Sequence, residues 1–325
     1  MSRPLNLALI GCGGITKGHL PAIAQIPEVQ PYVMVDIDLA RAESHKNEYG
    51  AKFAVADWRE AVAMDDVDIV DICTPHTLHR DPAVGAAEHG KHVFTEKPMA
   101  TSLAHCDDMI QAADANGVKL AVGQVLRYRM ANVKAKEALE AGAIGTPTNH
   151  IRRRVRYSPD YSRYAWATDF ALAGGWQLYG FGPHEMDTML WLADSPAKKL
   201  WAQGRKIQPV ADDVDDINIM WEFDNGAMGL LMLSMNIGCG GWDQAIGGTE
   251  GWMQILTDRI IINGEAQTDL DYAGAMYRQW REFVDAILED REPANSGKTV
   301  RPCMAALEAV RIAVNTGEVV DVSAL

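Results

Sequence analysis

The chain reads as an α/β protein in two parts: a doubly wound parallel sheet, then an α+β domain with a mostly antiparallel sheet. Three observations carry this reading. Up to residue 123, short apolar runs alternate with helical patterns, as in a parallel sheet covered on both faces. Beyond residue 146, alternating runs come in pairs joined by turns, an antiparallel habit. The length of 325 residues exceeds the usual span of about 100–200 residues per domain.

In order, LNLALI (5–10) is an apolar strand ending at Gly11, with a helix over about 15–26. PYVMVD (31–36) is the second strand, followed by a polar helix over about 39–49. KFAV (52–55), a helix at 57–64, DIVDIC (68–73), a helix at about 79–89, HVFT (92–95), a helix at about 102–116 and KLAVG (119–123) continue the alternation. Right-handed crossovers then wind the domain on both sides of its sheet. The domains are expected to be 1–123 and 124–325, with residues from about 297 packing back on the first. In the second part, TPTNHIRRRVRY (146–157) alternates as a strand and holds the densest basic run, Arg152, Arg153, Arg154 and Arg156. DDINIMWEFDNGAMGLLMLSM (215–235) reads as two strands joined at Asp224-Asn225-Gly226, a hairpin signal. WMQILT (252–257) and RIIIN (259–263) read as another pair.

Composition narrows the function. The chain is 48% hydrophobic and 23% charged with a net charge of −14, ordinary for a globular protein. That field repels phosphate backbones, so no nucleic-acid partner is expected. No apolar stretch is long enough to span a membrane. The N-terminus runs straight into strand and glycine turn, unlike a signal peptide. Five scattered cysteines without a C-x-x-C pair fit a reducing cytoplasm and offer neither a disulfide framework nor a zinc site. His184 and Asp187 would make only half of a metal site, so no metal is expected.

Two motifs carry chemistry. Gly11-Cys12-Gly13-Gly14-Ile15-Thr16 nearly matches G-x-G-x-x-G and lies between the first strand and a helix. Gly11 allows a tight turn, and Gly13 lets the backbone approach a pyrophosphate at the helix N-terminus. Gly14 and Ile15 belong to the same cofactor-binding loop. Asp36 ends the second strand, where a carboxylate takes the hydroxyls of an adenosine ribose and repels a 2′-phosphate. NAD is therefore favoured over NADP. Separately, a tight turn and a helix cap would also explain these residues. Thr74, Pro75 and His79 follow the fourth strand at the ligand-binding edge of the sheet, although His76 and His79 could equally be solvated loop residues. Glu96-Lys97-Pro98 ends the fifth strand. Lys97 there points toward the cofactor crevice and could share in proton transfer; Pro98 restricts it to extended geometry and admits a cis bond. A loop-capping surface lysine is the bland alternative.

With these residues in place, the chain resembles the glucose–fructose oxidoreductase / inositol dehydrogenase / MocA (Gfo/Idh/MocA) family of nicotinamide-dependent sugar and cyclitol oxidoreductases. IGCGGITKGHLPAI resembles the family's opening, CTPHTLH its T-P-x-x-x-H loop, and HVFTEKPMA carries its E-K-P motif. GKTVRPCMAALEAVRIAVNTGEVVDV (297–322) is similar to its last helix and strand. The resemblance implies a Rossmann first domain and a second domain with a large open sheet that packs against a neighbour, hence a homodimer or homotetramer. It also implies a catalytic lysine, aspartate and histidine. Lys97 and His184 match; the aspartate falls on Gly180.

GGWQLYGFGPHEMD (174–187) surrounds that histidine. On a helix, positions 180, 184 and 187 would share a face. Pro183 as the first helical residue would put His184 in the first turn, where the helix dipole disfavours imidazolium and leaves a neutral base. Asp187 or Glu185 could orient it, and Tyr179 lies nearby. Trp166 and Trp176 flank the glycines and could line a sugar pocket, as could Tyr164; Trp191 reads as core. A histidine satisfied at a domain interface is the bland alternative. Together the residues predict an NAD-dependent oxidoreductase that moves hydride from a secondary hydroxyl of a sugar, sugar acid or cyclitol. Alternatives are a lyase or hydrolase working through a keto-sugar with retained NAD, and a non-catalytic NAD-binding regulator.

Overall fold

The computed structural model describes residues 3–159 and 165–325. It divides into two compact units, 1–123 with 276–300 and 124–275 with 301–325. The returning segment therefore begins at 276 and stops at 300, in place of the C-terminal stretch expected from about 297.

The first unit runs β1 (Leu5–Ile10), α1 (Thr16–Ile23), β2 (Val29–Val35), α2 (Leu39–Tyr49), β3 (Phe53–Val55), α3 (Trp58–Val62), β4 (Ile69–Ile72), α4 (Arg80–Glu88), β5 (His92–Thr95), α5 (Leu103–Ala115) and β6 (Leu120–Val122). The six strands are parallel in the order β3-β2-β1-β4-β5-β6. The order reverses between β1 and β4, so their carboxyl ends open a crevice at the switch point. Side-chain caps start α2, α3 and α5, where Asp38, Asp57 and Ser102 accept from backbone N–H groups. The first helix, α1, starts at Ile15 with no such cap. Thr16 N and Gly18 N fold back on the Gly13 and Ile15 carbonyls, at 3.3 and 2.9 Å, and the positive end of the helix dipole faces the glycine turn, where an anion is favoured.

The second unit runs α6 (Met130–Glu140), β7 (Pro147–Tyr157), α7 (Phe170–Ala173), α8 (Gly182–Ala193), β8 (Ala197–Arg205), β9 (Asp216–Phe223), β10 (Met228–Ser234), β11 (Asn236–Gly248), β12 (Trp252–Ile255), β13 (Ile260–Ile262) and β14 (Glu265–Gln267). Then come α9 (Ala275–Leu288), α10 (Gly297–Thr316) and β15 (Val320–Asp321). Among the described residues this sheet has nine strands, β14-β13-β12-β11-β7-β10-β9-β8-β15. Only β7 and β10 pair in parallel. The hairpin at Asp224–Gly226 forms as expected, with Glu222 opposite Met228.

Trp280, Phe283 and Val284 of α9 enter the core of the first unit with Leu7, Leu20 and Phe94. Their i, i+3, i+4 spacing is an apolar helix stripe, which is why this segment returns. By contrast, Leu307 of α10 packs on Gly182 of α8 in the second unit, where an added Cβ would meet it at 2.9 Å. Both α6 and α8 cover one face of the large sheet. On the other face a row of side chains crosses adjacent strands in register: Trp201, Met220, Leu230, Ile151 and Ala245. All are exposed, Met220 by 55%. No helix among the described residues is long and apolar enough to cross a membrane.

Candidate active site

The glycine turn is built as its spacing requires. Gly11 has φ +95°, and a Cβ there would lie 2.7 Å from the Cys73 carbonyl oxygen at the end of β4. Glycine is required both by conformation and by space. At Gly13 and Gly14 an added Cβ would meet nothing within 4 Å, so the loop face over α1 is open to a phosphate. Ile15 is exposed beside it. Thr16 stands where the motif has its third glycine; its buried hydroxyl donates to the Gly13 carbonyl at 2.7 Å and ties the loop down.

Asp36 leaves β2 toward this loop. Its carboxylate accepts from Cys12 N at 3.0 Å and Asp38 N at 2.9 Å, and Arg41 Nη1 approaches it at 3.2 Å. Burial, then the charge of Asp36, pushes the Cys12 thiol up to about 12. The open cradle, the uncapped helix and the carboxylate fit a dinucleotide.

On the β4 side, Thr74 donates to the Leu78 carbonyl at 3.3 Å and Pro75 leads into a short turn. His79 is fully buried, not solvated. Its Nδ1 lies 2.8 Å from the Pro98 carbonyl and its Nε2 2.9 Å from that of Thr74. Burial lowers its pKa, against the pull of those two carbonyls. Both ring nitrogens meet backbone carbonyls, so His79 ties the Thr74 and Pro98 loops together.

Beneath Lys97 lies a charge cluster that the motifs do not announce. His19, on the inner face of α1, is fully buried between Asp71 Oδ2 at 2.9 Å and Glu96 Oε1 at 3.0 Å. Burial disfavours its charge, but Asp71 and Cys73 outweigh that and raise its pKa well above the ordinary value. It is an imidazolium between two carboxylates. Glu96 is likewise buried, yet the His19 hydrogen bond and charge, then Lys97, hold its carboxyl below the usual range. Its other oxygen accepts the Lys97 backbone N–H at 3.2 Å. An added Cβ at Gly123 would lie 2.6 Å from Glu96 Oε1, so the strand end is shaped around this carboxylate. The Lys97–Pro98 bond is cis. His19, Asp71 and Cys73 also bring ligand-type atoms within 4.8 Å of one another, a grouping absent from the sequence-based expectation about metals. Here those atoms hydrogen-bond among themselves.

In the second unit, Gly175 (φ +105°) opens a wide π-helical turn over Trp176–Phe181 before α8 begins. Pro183 sits in the first turn of α8, as expected, with His184 after it. Gly180 belongs to the π-turn, so the α-helical spacing that put 180 on one face with 184 and 187 does not apply there. A Cβ at Gly180 would lie 2.9 Å from the Trp176 ring. The indole occupies the space an aspartate side chain would enter.

Asp187 is buried and engaged by Arg127, whose Nε and Nη2 donate at 2.8 and 2.6 Å to its two oxygens. This pair anchors α8. Glu185 turns to the sheet and pairs with Arg152 and Arg154. Tyr179 is buried, among the largest fully enclosed side chains. Trp166 and Trp176 meet edge to face at 5.1 Å, a partly buried aromatic pair. Trp191 packs on the core beside α6, and Tyr164 lies outside the described residues.

Residues 5–124 match the family model described as "Oxidoreductase family, NAD-binding Rossmann fold", and residues 132–254 match the GFO/IDH/MocA C-terminal domain. The chain belongs to the Gfo/Idh/MocA family. It is 27% identical over 309 residues to the 4-carboxy-2-hydroxymuconate-6-semialdehyde dehydrogenase of Sphingobium sp. (92% of this chain, 95% of that protein). It is 25% identical over 314 residues to the myo-inositol 2-dehydrogenase of Thermotoga maritima (90% and 91%). The structure of a levoglucosan dehydrogenase in complex with NADH and levoglucosan superposes with TM-score 0.92 at 23% identity, covering 98% of this chain and 100% of that one, a likeness of fold. The protein is an NAD-binding oxidoreductase.

Proposed function

We propose that this oxidoreductase acts on a secondary hydroxyl of a sugar, sugar acid or cyclitol, with Lys97 and His184 as its catalytic pair. The observation that carries the reading lies in the first unit. Lys97 leaves the carboxyl end of β5, the same edge of the parallel sheet at which the Gly11–Thr16 turn and Asp36 form the dinucleotide cradle. The relatives named inositol dehydrogenase and levoglucosan dehydrogenase support a polyol substrate.

Gly11, Gly13 and Gly14 would admit the pyrophosphate to the N-terminus of α1, Asp36 would take the ribose hydroxyls, and the Thr74-Pro75 turn and Ile15 would flank them. Bound NAD⁺ supplies the hydride acceptor. His184 Nε2, in the first turn of α8, takes the proton of the substrate hydroxyl. The Lys97 ammonium, at the carboxyl edge of the dinucleotide-binding sheet, would stabilise negative charge that develops on a reacting oxygen. Glu96, fixed by His19, holds the Lys97 backbone.

Exchanging Lys97 or His184 for alanine is expected to lower kcat/KM by about 10²–10⁴-fold, the usual worth of a general acid–base group, read as 340 nm absorbance with NAD⁺. Near wild-type activity in either variant rejects the assignment. Product formed without net absorbance change would favour retained NAD, a reading that the missing aspartate at 180 keeps in view.

The apolar row Trp201–Met220–Leu230–Ile151–Ala245 supports assembly of two or more copies through the uncovered sheet face, since exposed continuous apolar surface marks an interface. The four described cysteines are buried and the sequence has no C-x-x-C pair, which supports a reducing cytoplasm.

A further inference from the structure

The arginine run of β7 has no part in the roles above. Side chains alternate along a strand, so His150, Arg152, Arg154 and Arg156 share the face that α8 covers. Arg152 donates to Glu185 of α8 and to Gln244 of β11. Arg154 Nη1 reaches the other oxygen of Glu185 at 3.3 Å, and its guanidinium lies 4.0 Å from the centre of the Phe181 ring. Arg156 lies 5.9 Å from the same ring. Its Nη2 donates to Ser158 Oγ at 3.2 Å, while its Nε is buried without a hydrogen-bond partner. No carboxylate among the described residues pairs with Arg156.

Arg152 and Arg154 thus meet Glu185, while Arg156 beside them, half-buried on the same face, has no carboxylate among the described residues, in a chain whose net charge is −14. Burial lowers the Arg154 pKa; Glu185 opposes this, and the neighbouring Arg156 and Arg152 add to it. Holding α8 to the sheet needs one arginine for Glu185, and Arg152 already meets it. Like charges gathered away from water are costly unless a counter-charge joins them. Phe181 also precedes the first turn of α8, which has no side-chain cap, so the helix dipole adds to the positive field there.

We propose that Arg156, with Arg154 beside it, binds an anionic oxygen group of the substrate, a carboxylate or a phosphate ester, so that the enzyme works on acidic sugars or cyclitols in preference to neutral ones. This rests on the reading that His184, at the start of the same helix, serves the substrate. Guanidinium recognises both groups through paired N–H donors.

The test uses the NAD-loaded protein and matched probes: glucose, glucuronate, gluconate and glucose 6-phosphate, with the galactose and inositol counterparts. Expected is a kcat/KM for an acidic member at least tenfold above its neutral partner. In Arg156→Gln that ratio falls at least tenfold, mainly through KM; Arg156→Lys, which keeps charge but not the fork, lies between. Preference for the carboxylates or for the phosphates identifies the group. Neutral members equal to or better than both acids, or a ratio unchanged in Arg156→Gln, overturns the proposal. Thermal melts separate it from the dehydrogenase reading. If no probe is turned over but an acidic one raises Tm in wild type and not in Arg156→Gln, the anion site stands and the dehydrogenase reading fails. If no acidic probe is either turned over or shifts Tm, the anion site is rejected.

Discussion

Replacing His19 by leucine strands two carboxylates in the interior. Asp71 is fully buried and Glu96 nearly so, and each has His19 as its cationic partner, at 2.9 and 3.0 Å. Removing one member of a buried ion pair costs about 3–5 kcal/mol. At roughly 2–4 °C per kcal/mol for a domain of this size, Tm should fall by about 6–20 °C. Adding Asp71→Asn removes one stranded charge and should return part of the loss. Urea unfolding at pH 7 followed by tryptophan fluorescence is the assay, because Trp280 stacks on Phe94 at 4.4 Å and lies 5.7 Å from His19. The pH dependence has a definite sign. The folded pKa of His19 is raised, so its contribution is complete below its ordinary value of 6.5 and fades as pH rises through the raised value. The folded pKa of Glu96 is lowered, so its contribution is complete above 4.5 and fades as pH falls through the lowered value. The cluster stabilises most between these limits. A His19→Leu protein within ~1 kcal/mol of wild type would refute the account of a charged, paired histidine.

Gly11→Ala combines a φ of +95° with a contact of 2.7 Å to the Cys73 carbonyl. It should destabilise by about 1–3 kcal/mol and weaken NAD binding roughly tenfold or more, ~1.4 kcal/mol, by fluorescence titration; unchanged affinity would count against the cradle. Asp36→Ala should lose about 1.5–3 kcal/mol of NAD binding, the worth of a charged hydrogen bond, and free Arg41 to accept a 2′-phosphate. The NADP-to-NAD ratio of kcat/KM should then rise, and a static ratio would refute the assignment of Asp36. Met220→Lys with Leu230→Lys places two charges on the open sheet face and should yield monomers by light scattering; an unaltered mass would move the interface elsewhere.

The parallel domain was legible because its signals are local. Strand β1 and its glycine turn, the alternation through β6, and the Asp224–Gly226 hairpin all announce themselves within a few residues. Three strands, β8, β11 and β14, were not anticipated, and β11 shows why: NIGCGGWDQAIGG is rich in glycine, which is depleted in strands, and it holds its place by pairing along β7. The stripe of α9 was readable at Trp280, Phe283 and Val284, but it carries no motif. In the candidate site, the histidine and lysine could be found by pattern; their supports could not. His19 meets partners 52 and 77 positions away, and Arg127 meets Asp187 across 60. Nothing local marks such pairs. The π-turn before α8 is hidden for another reason. Its residues fit an α-helical pattern as well, and only the backbone at Gly175 reveals the wider winding.

Cys12, Cys73, Cys106 and Cys303 are all buried, and Cys12 and Cys73 are each pushed up to about 12, first by burial and then by a neighbouring aspartate. A thiol reagent attacks the thiolate, so these sulfurs stay silent while the native packing lasts. Alkylation at any of these four then timestamps an opening of the fold. Cys73 touches His19 and its carbonyl abuts Gly11, so its labelling rate would clock the loosening of the cofactor cradle itself. Slower labelling as NAD⁺ is added would report cofactor occupancy without any turnover.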